Sequence, residues 1–274
     1  LHKEYRRQRQ MCIRDRLMDM NMVYTTFKVE KGDVVTAVNG AYALNILGLN
    51  VTVPHKQAVM ESLVDIDPLA KAIGAVNTLV RTDKGYKGYN TDILGLEREL
   101  IDEGVVLLGS RCVILGAGGA ARAIAFLCAK SGAKEIYMLN RTKEKAYDIA
   151  KAVNDYFGKE CIKPMLISEY DKLEADDYVV IQTTSVGLYP NVDDVVIDDE
   201  AFYKKVKVGV DIIYNPSETR FMKMCKNAGK PACNGLKMLL YQGVAAYELW
   251  NDVSVTKEQA DKVYNKMKEE LGIE

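Results

Sequence analysis

The sequence is poor in several features that mark particular classes of protein. Only two of its 274 residues are histidine, and its six cysteines show neither a CxxC pair nor another metal-ligand spacing, so no metal site is expected. The formal net charge of -1 gives no support for nucleic-acid binding. No apolar run approaches the roughly 18 residues that a membrane-spanning helix needs. The first residues are basic and lack an apolar core, so we expect no secretion, a cytoplasmic location and reduced thiols.

The first part of the chain alternates short strand and helix patterns. The length accommodates two domains of ordinary size. Residues 1–16 stand apart, since they are basic and show no periodicity of either kind. From Val23 onward, the spacing of apolar residues predicts strands at 23–29 and 49–54, helices at 34–44 and 56–63, a hairpin at 75–90 and a helix at 92–104.

A second pattern begins at Arg111. Residues 111–142 have the order strand, glycine turn, helix and strand, which is one βαβ unit. A helix at 145–158 and strands at 177–184 and 207–214 continue it. The last part of the chain is helical, and its final helix opens with a capping box from Thr256 to Gln259 and ends at Gly272. The predicted fold class is α/β, with a doubly wound sheet of the Rossmann type.

A glycine-rich turn joins the first strand of this second pattern to its helix. It has the form G-x-G-x-x-A: Gly116 permits a tight turn, Gly118 lets a pyrophosphate approach the backbone, and Ala121 allows close helix packing. Phosphates would then lie at the helix N-terminus. Glycine turns also occur for packing alone, but the strand–turn–helix–strand context favours dinucleotide binding.

The residues after the next strand indicate which dinucleotide binds. An acidic residue there would receive a ribose 2′-hydroxyl and select NAD. This chain has Asn140, Arg141 and Thr142, followed by Lys143 and Lys145, which are able to pair with a 2′-phosphate. The plainer alternative is a solvated basic helix start. The pattern favours NADP(H) as the cofactor.

Polar side chains end three apolar runs of the N-terminal part, in NVTVPHK, GAVNT and YNTD. Lys56 and Asp92 are their ionisable members, and together they could act as proton donor and acceptor for a small polar substrate. Each has a plainer reading, as an exposed lysine and as a helix N-cap. Thr52 and Asn77 could be ordinary turn or strand-end residues. Gln242, in the middle of an apolar helix, needs either a substrate or another helix as its partner.

Seven motifs occur in the order and near the spacing of one enzyme family: NVTVPHK, GAVNT, YNTDILGL, ILGAGGAARA, LNRT, DIIYNP and NGLKMLLYQGVAAYELW. On these motifs the chain resembles the shikimate dehydrogenases, from about Val23 to its C-terminus. The resemblance implies an oxidoreductase that uses NADPH to reduce 3-dehydroshikimate to shikimate, in the chorismate pathway of aromatic amino-acid biosynthesis. It also implies two α/β domains with substrate and nicotinamide in the cleft between them.

The resemblance assigns roles to residues at matching positions. It makes Lys56 and Asp92 the catalytic pair. It places four residues around the substrate: Thr52, Asn77, Tyr214 and Gln242. It gives three groups to the cofactor: Gly116, Ala117, Gly118, Gly119 and Ala120 at the pyrophosphate; Asn140, Arg141, Thr142 and Lys145 at the 2′-phosphate; and Thr184, Gly235 and Met238 near the nicotinamide.

Two departures from the family pattern stand out. Gln182 occupies a position where the family usually has asparagine. The family's first strand and its Ser-x-Ser-Pro turn, which holds the substrate carboxylate, have no counterpart, because the first serine of the chain is Ser62. We therefore expect residues 1–16 to be non-native sequence or disordered. The alternative is a true variant in which the carboxylate pairs with one of three arginines: Arg6, Arg7 or Arg9.

The predicted domains are 1–91 with 236–274 for substrate binding and catalysis, and 92–235 for NADP binding. The expected partners are a small-molecule substrate and, as an option, a second copy of the chain; neither nucleic acid nor a membrane is expected. Three other functions stay open. The first is a quinate/shikimate-type dehydrogenase that uses NAD, although Arg141 argues against NAD as the cofactor. The second is a methylenetetrahydrofolate dehydrogenase. The third is an N-terminally truncated relative that binds NADP but is catalytically impaired.

Overall fold

The computed structural model describes residues 22–273 of the chain. The chain forms two compact units: unit 1 is Leu1–Gly95 with Leu239–Glu274, and unit 2 is Leu96–Met238. These limits lie close to the predicted domain limits at 92 and 235. Among the helices of the described residues, none combines the length and the apolarity that crossing a membrane requires. The prediction for residues 1–16 falls outside the described part of the chain.

The regular elements alternate along the chain. The helices are α1 (Val34–Ala43), α2 (Pro68–Ile73), α3 (Thr91–Asp102), α4 (Gly119–Lys130), α5 (Lys143–Phe157), α6 (Glu200–Lys204), α7 (Arg220–Asn227), α8 (Leu236–Asn251) and α9 (Lys257–Leu271). The strands are β1 (Gly48–Asn50), β2 (Asp65–Ile66), β3 (Thr78–Thr82), β4 (Gly85–Tyr89), β5 (Arg111–Leu115), β6 (Glu135–Asn140), β7 (Ile162–Leu166), β8 (Tyr178–Gln182), β9 (Val206–Asp211) and β10 (Ala232–Asn234). Two 3₁₀ helices are present, at Ala58–Ser62 and Ile167–Lys172.

Unit 1 is built on a four-stranded mixed sheet in the order β1-β3-β4-β2. The predicted hairpin is confirmed, with β3 and β4 antiparallel, while β2 runs parallel to β4. Helix α8 lies against this sheet, because the Trp250 indole donates a hydrogen bond to the Leu79 carbonyl at 2.8 Å. A Cβ atom at Gly48 would collide with the Trp250 ring, so only glycine fits there. The close approach holds α8 in place on β1 and β3.

Unit 2 contains six parallel strands in the order β10-β9-β8-β5-β6-β7. This is the doubly wound order, and it confirms the predicted α/β, Rossmann-type class. The central strand β8 is buried along its whole length, as its apolar sequence predicts. The strand order reverses between β5 and β8, and in such sheets ligands bind outside the carboxyl ends at this position.

Three local predictions differ from the structure. Residues 22–30 contain no strand, and Val23 and Phe27 are 92% and 65% exposed. The predicted strand at 23–29 is therefore wrong, because an alternating pattern forms a strand only where a neighbouring strand pairs with it. The predicted helix at 56–63 is only the 3₁₀ turn Ala58–Ser62. Strand β7 was missed because it contains Pro164, which an edge strand tolerates.

Candidate active site

Lys56 and Asp92 form an ion pair in unit 1. Lys56 Nζ lies 2.6 Å from Asp92 Oδ2, and the two side chains are 22% and 19% exposed. Asp92 lies in the first turn of α3, where the helix dipole favours a negative charge. The structure thus brings together the two residues that the sequence singled out, partly shielded but open to a ligand.

Asn90 holds the start of α3. Its Oδ1 accepts a hydrogen bond from the Asp92 backbone N–H at 3.2 Å, and its Nδ2 donates to the Ala75 carbonyl at 3.0 Å. The reading of Asp92 as an N-cap is therefore wrong, since Asn90 caps the helix and leaves the Asp92 carboxylate to Lys56. Lys56 itself precedes a 3₁₀ turn, Ala58–Ser62, and not an α-helix. Its carbonyl accepts from Val76 N at 2.8 Å, which anchors it beside β3.

Asn77 connects this pair to the sheet. It is 5% exposed, and its Oδ1 accepts from the Thr91 N–H at 2.8 Å and from the Thr91 and Thr78 hydroxyls, each at 3.1 Å. Its Nδ2 donates to no described residue. Because Thr91 precedes Asp92, the carbonyl side of the Asn77 amide fixes the helix start, while the NH₂ side remains available to a substrate hydroxyl.

The other predicted substrate residues are placed less tightly. Thr52 and Gln242 lie in unit 1, are half-buried, and their side chains make no hydrogen bond to the described residues. Gln242 lies about two turns before Trp250 on α8, so both lie on a similar face of that helix. Tyr214 belongs to unit 2, in the loop after β9, and is also half-buried. The hydrogen-bonding groups of these three side chains have no partner among the described residues.

The glycine turn after β5 has the shape of an anion site. Gly116 has φ +109°, and a Cβ atom there would lie 2.8 Å from both Thr183 Oγ1 and Thr184 Cγ2. Gly118 and Gly119 are different, because Cβ atoms on them would meet nothing within 4 Å. Gly118 caps α4 without a side-chain hydrogen bond, which leaves the first N–H groups of the helix open. This combination fits the pyrophosphate of a dinucleotide.

A group of exposed basic residues follows β6. Arg141, Thr142 and Lys145 are exposed, and Thr142 begins α5 without a side-chain capping bond. Asn140 Nδ2 donates to the Thr142 carbonyl at 2.8 Å, which shapes the turn. Lys143 lies 3.8 Å from Glu169, but Arg141 and Lys145 make no ion pair with the described residues. Two cations are therefore free to bind a phosphate.

A buried carboxylate that was not predicted as a site residue, Asp211, lies at the end of β9. It is 0% exposed; its Oδ1 accepts from Ile213 N at 2.9 Å and its Oδ2 from the Thr219 hydroxyl at 2.6 Å. Burial raises the pKa of Asp211 to about 6, against the opposing effect of these two hydrogen bonds. Its signal in the sequence is a single acid at the end of an apolar strand, as the first residue of the DIIYNP motif.

Gln182, the departure from the family pattern, also belongs to this region. Its Oε1 accepts from Thr184 N at 2.5 Å, and its Nε2 donates to the Val186 carbonyl at 3.1 Å and to Asp211 Oδ1 at 3.5 Å. Gly235 donates its N–H to the Ile213 carbonyl at 3.1 Å. Met238 is half-buried in the first turn of α8. Thr184 and Gly235 thus lie at the same edge of the sheet as Gly116.

A second buried acid, Glu99, lies on α3 within unit 2. It is 0% exposed, and neither carboxyl oxygen has a hydrogen-bond partner in the described residues. Burial, followed by repulsion from Glu103, raises its pKa well above the usual value. Lys237 pairs nearby with Asp102 and Glu103, each at 2.6 Å. No role for Glu99 was predicted from the sequence.

Known proteins resemble this chain over nearly its whole length. The family models "Shikimate dehydrogenase substrate binding domain" and "Shikimate / quinate 5-dehydrogenase" match residues 14–79 and 100–216. The shikimate dehydrogenase (NADP(+)) of Moorella thermoacetica is 41% identical over 92% of this chain and 84% of its own. The chain belongs to the shikimate dehydrogenase family.

Solved structures from the shikimate dehydrogenase family share the fold. A chorismate mutase/shikimate 5-dehydrogenase fusion protein from Clostridium acetobutylicum superimposes with a TM-score of 0.87 at 33% identity, covering 97% of this chain and 93% of its own. The Thermus thermophilus enzyme, in complex with NADP(H) and shikimate, has a TM-score of 0.82 at 26% identity, with coverages of 97% and 95%. The family resemblance predicted from the sequence motifs is confirmed.

The two family models cover part of the site. The substrate-domain model of the shikimate dehydrogenases includes Thr52, Lys56 and Asn77, and the second model includes the glycine turn, Arg141 and Asp211. Asp92 lies between the two matched ranges, although it forms the ion pair with Lys56. NADP-dependent oxidation and reduction is the chemistry by which this family is named.

Proposed function

We propose that this chain catalyses the reversible, NADPH-dependent reduction of 3-dehydroshikimate to shikimate, the chorismate-pathway step of aromatic amino-acid biosynthesis. The observation that carries the proposal is the Lys56–Asp92 pair, 2.6 Å apart and partly exposed, beside the free NH₂ group of Asn77. The names of the relatives support it, and the Thermus thermophilus structure is a complex with NADP(H) and shikimate.

The proposed mechanism assigns the proton chemistry to unit 1. When bound, the cofactor supplies a hydride to the carbonyl carbon. Lys56 Nζ would stabilise the negative charge that develops on the carbonyl oxygen or donate the proton that this oxygen takes up, and Asp92 would orient the ammonium or share in the proton relay. Three side chains of unit 1 would bind the hydroxyls of the substrate: Thr52, Asn77 and Gln242.

Cofactor binding is proposed for unit 2, and substrate binding for unit 1. The open Gly118 and Gly119 with the N-terminus of α4 would hold the pyrophosphate. Arg141 and Lys145 would pair with the 2′-phosphate, with Asn140 and Thr142 completing its hydrogen bonds. Thr184, Gly235 and Met238 would lie near the nicotinamide. These roles extend the family assignment to individual residues.

The proposal also includes a cytoplasmic location and, as an option, a homodimer. The cysteines of the described residues are free thiols, as expected in a reducing compartment: Cys112, Cys128, Cys161, Cys225 and Cys233. Light scattering of the purified protein measures its assembly state.

Oxidation of shikimate by NADP⁺, followed by the absorbance of NADPH, tests the proposed function. Parallel assays replace shikimate by quinate and NADP⁺ by NAD⁺, and a direct titration measures NADP⁺ binding without turnover. We expect the highest rate with shikimate and NADP⁺. Binding without turnover would select the catalytically impaired relative, and a preference for quinate with NAD⁺ would select the other dehydrogenase class.

A further inference from the structure

Three polar residues end neighbouring strands of the unit 2 sheet at the same level. Gln182 of β8 and Asn234 of β10 are both paired in register with Asp211 of β9. Each of the three accepts a hydrogen bond from a backbone N–H two residues further along the chain. Each of the three strands therefore ends in the same kind of turn, an Asx-type turn or its glutamine equivalent, and the next loop begins at this turn. Asp211 is the central member and the only ionisable one.

We propose that Asp211 is a positioning residue for the cofactor. Its carboxylate fixes three loops at the carboxyl edge of the sheet, which carry Thr184, Tyr214 and Gly235. The inference rests on the proposed function, because these loops are expected to receive NADP(H).

The first connection runs through Gln182 to Thr184. Asp211 Oδ1 accepts from Gln182 Nε2, and the same amide holds the Thr184 N–H and the Val186 carbonyl. Thr184 forms one wall of the glycine turn, since its Cγ2 is 2.8 Å from the position of a Cβ atom on Gly116. A shift of the Gln182 amide would therefore move a wall of the pyrophosphate site.

The second connection runs through Ile213 to Gly235. Asp211 Oδ1 accepts from Ile213 N at 2.9 Å, and the Ile213 carbonyl accepts from Gly235 N at 3.1 Å. The contact is tight, because a Cβ atom on Gly235 would collide with the Ile212 carbonyl. The Asp211 turn thus sets the start of the Tyr214 loop and the backbone that leads into α8.

The third connection requires the charged form of Asp211. Oδ2 accepts from the Thr219 hydroxyl at 2.6 Å, and Thr219 Oγ1 already accepts from Met222 N at 3.3 Å as the N-cap of α7. An ionised carboxylate accepts from all of its donors at once, whereas a protonated one would present a donor to one of them. Loss of the negative charge therefore disturbs the network without removing the side chain.

Among the described residues, the ionisable groups that interact electrostatically with Asp211 do not change their charge near pH 6. Three ionisable side chains interact electrostatically with it, one each from α6, α7 and β10: Tyr203, Cys225 and Cys233. Burial raises the pKa of all three, to about 12 for Cys225, so each is neutral at and below neutral pH. The titration of Asp211 can thus be observed separately.

The test is NADP⁺ binding by the full chain and by Asp211→Asn, measured by direct titration at about pH 7.5 and about pH 5. Asparagine keeps the size and one acceptor but lacks the charge. We expect the variant to bind NADP⁺ about tenfold more weakly at the higher pH. The ratio of the two dissociation constants should fall towards one at the lower pH, where wild-type Asp211 is protonated. The 2′-phosphate of NADP⁺ also changes its charge in this pH range. This change affects binding to the wild type and to the variant equally, so it cancels in the ratio of the two dissociation constants.

Asp177→Asn is the matched control, because Asp177 pairs with Arg111 at the amino ends of β5 and β8. This variant should bind NADP⁺ like the wild type. If Asp211→Asn does not fold, Gln182→Met cuts the connection to Thr184 and should show the same loss at the higher pH. A ratio near one at both pH values, or equal losses at both, overturns the proposal. Absence of NADP⁺ binding by the wild type would instead refute the proposed function, and this inference with it.

Discussion

Two aspartates of this chain meet opposite environments. Asp92 is 19% exposed and pairs with Lys56, so its charge is compensated and remains accessible to a substrate. Asp211 is fully buried, and its carboxylate has hydrogen-bond donors but no ion-pair partner within residues 22–273. A buried charge without a counter-ion costs stability, and such residues cluster at functional sites. The Lys56–Asp92 pair is therefore tested by its effect on turnover, and Asp211 by the pH dependence of stability and cofactor binding.

The cost of the Asp211 charge predicts a pH-dependent stability difference. Its pKa in the folded protein is about 6, above the 3.8 of an unperturbed aspartate, so its stabilising contribution is greatest below pH 3.8 and is lost as pH rises through about 6. Relative to Asp211→Asn, the wild type should lose about 3 kcal/mol at most between these limits. Urea unfolding of both proteins across this range measures the difference, and a difference independent of pH would contradict the burial argument.

Arg141 provides the residue-scale test of cofactor choice. Because its guanidinium is exposed without an ion-pair partner in the described residues, Arg141→Ala should weaken NADPH about tenfold or more and NADH much less. Lys134→Ala is the control, since Lys134 is exposed just before the other end of β6. Fluorescence titrations with both cofactors give the comparison. Equal losses for NADPH and NADH would remove Arg141 from the 2′-phosphate site.

Among single residues, those in local patterns were the predictable ones. The Thr256–Gln259 capping box and the Gly272 stop of α9 follow from adjacent residues and are confirmed. From the sequence, either Asn90 or Asp92 could cap α3. Asn90 is the cap, and its side chain is also held by the Ala75 carbonyl, a contact that the local sequence does not indicate. Asp211 was missed because its partners come from distant parts of the sequence: Gln182 ends β8 and Thr219 caps α7. Burial without a counter-ion is a tertiary property that no window of sequence contains.

At the scale of elements, two glycines of the turn after β5 are needed for different reasons: Gly116 for the backbone structure and Gly118 for ligand binding. Gly116→Ala places a methyl group against Thr183 and Thr184 at positive φ, so it should lower the free energy of unfolding by about 1–3 kcal/mol. Gly118→Ala meets open space at φ -96°, so stability should change by less than about 0.5 kcal/mol. NADP⁺ affinity should nevertheless fall in both, because the Gly118 methyl group occupies the ligand's space. Unchanged affinity in Gly118→Ala would contradict the phosphate assignment.

Long periodic elements were predicted well and short ones poorly. The βαβ unit from Arg111 and the helix α8 were confirmed because burial on one sheet or one helix face dictates their apolar spacing. The predicted strand at 23–29 had the right alternation but no partner in the sheet order β1-β3-β4-β2. The two-residue strand β2 and the Pro-containing β7 carry too weak a pattern to be found without their neighbours.

At the scale of the whole molecule, each of the two units carries one group of candidate site residues. Unit 2 has the glycine turn, the basic group after β6 and the Asp211 network, all within one parallel sheet and its loops. Unit 1 has the Lys56–Asp92 pair held by Asn77 and Asn90. The family resemblance could be found from sequence because it depends on ordered motifs. The side-chain network behind each motif required the structure.

The most direct test of the account is the rate of shikimate oxidation by Lys56→Ala. Loss of a positioned ammonium should lower turnover by ~10²-fold or more, while NADP⁺ binding, which belongs to unit 2, stays at the wild-type level. Lys87→Ala is the matched control, because Lys87 forms a 2.7 Å pair with Asp65 in the same unit and should keep wild-type turnover. Turnover of Lys56→Ala equal to that of the wild type would contradict the central claim.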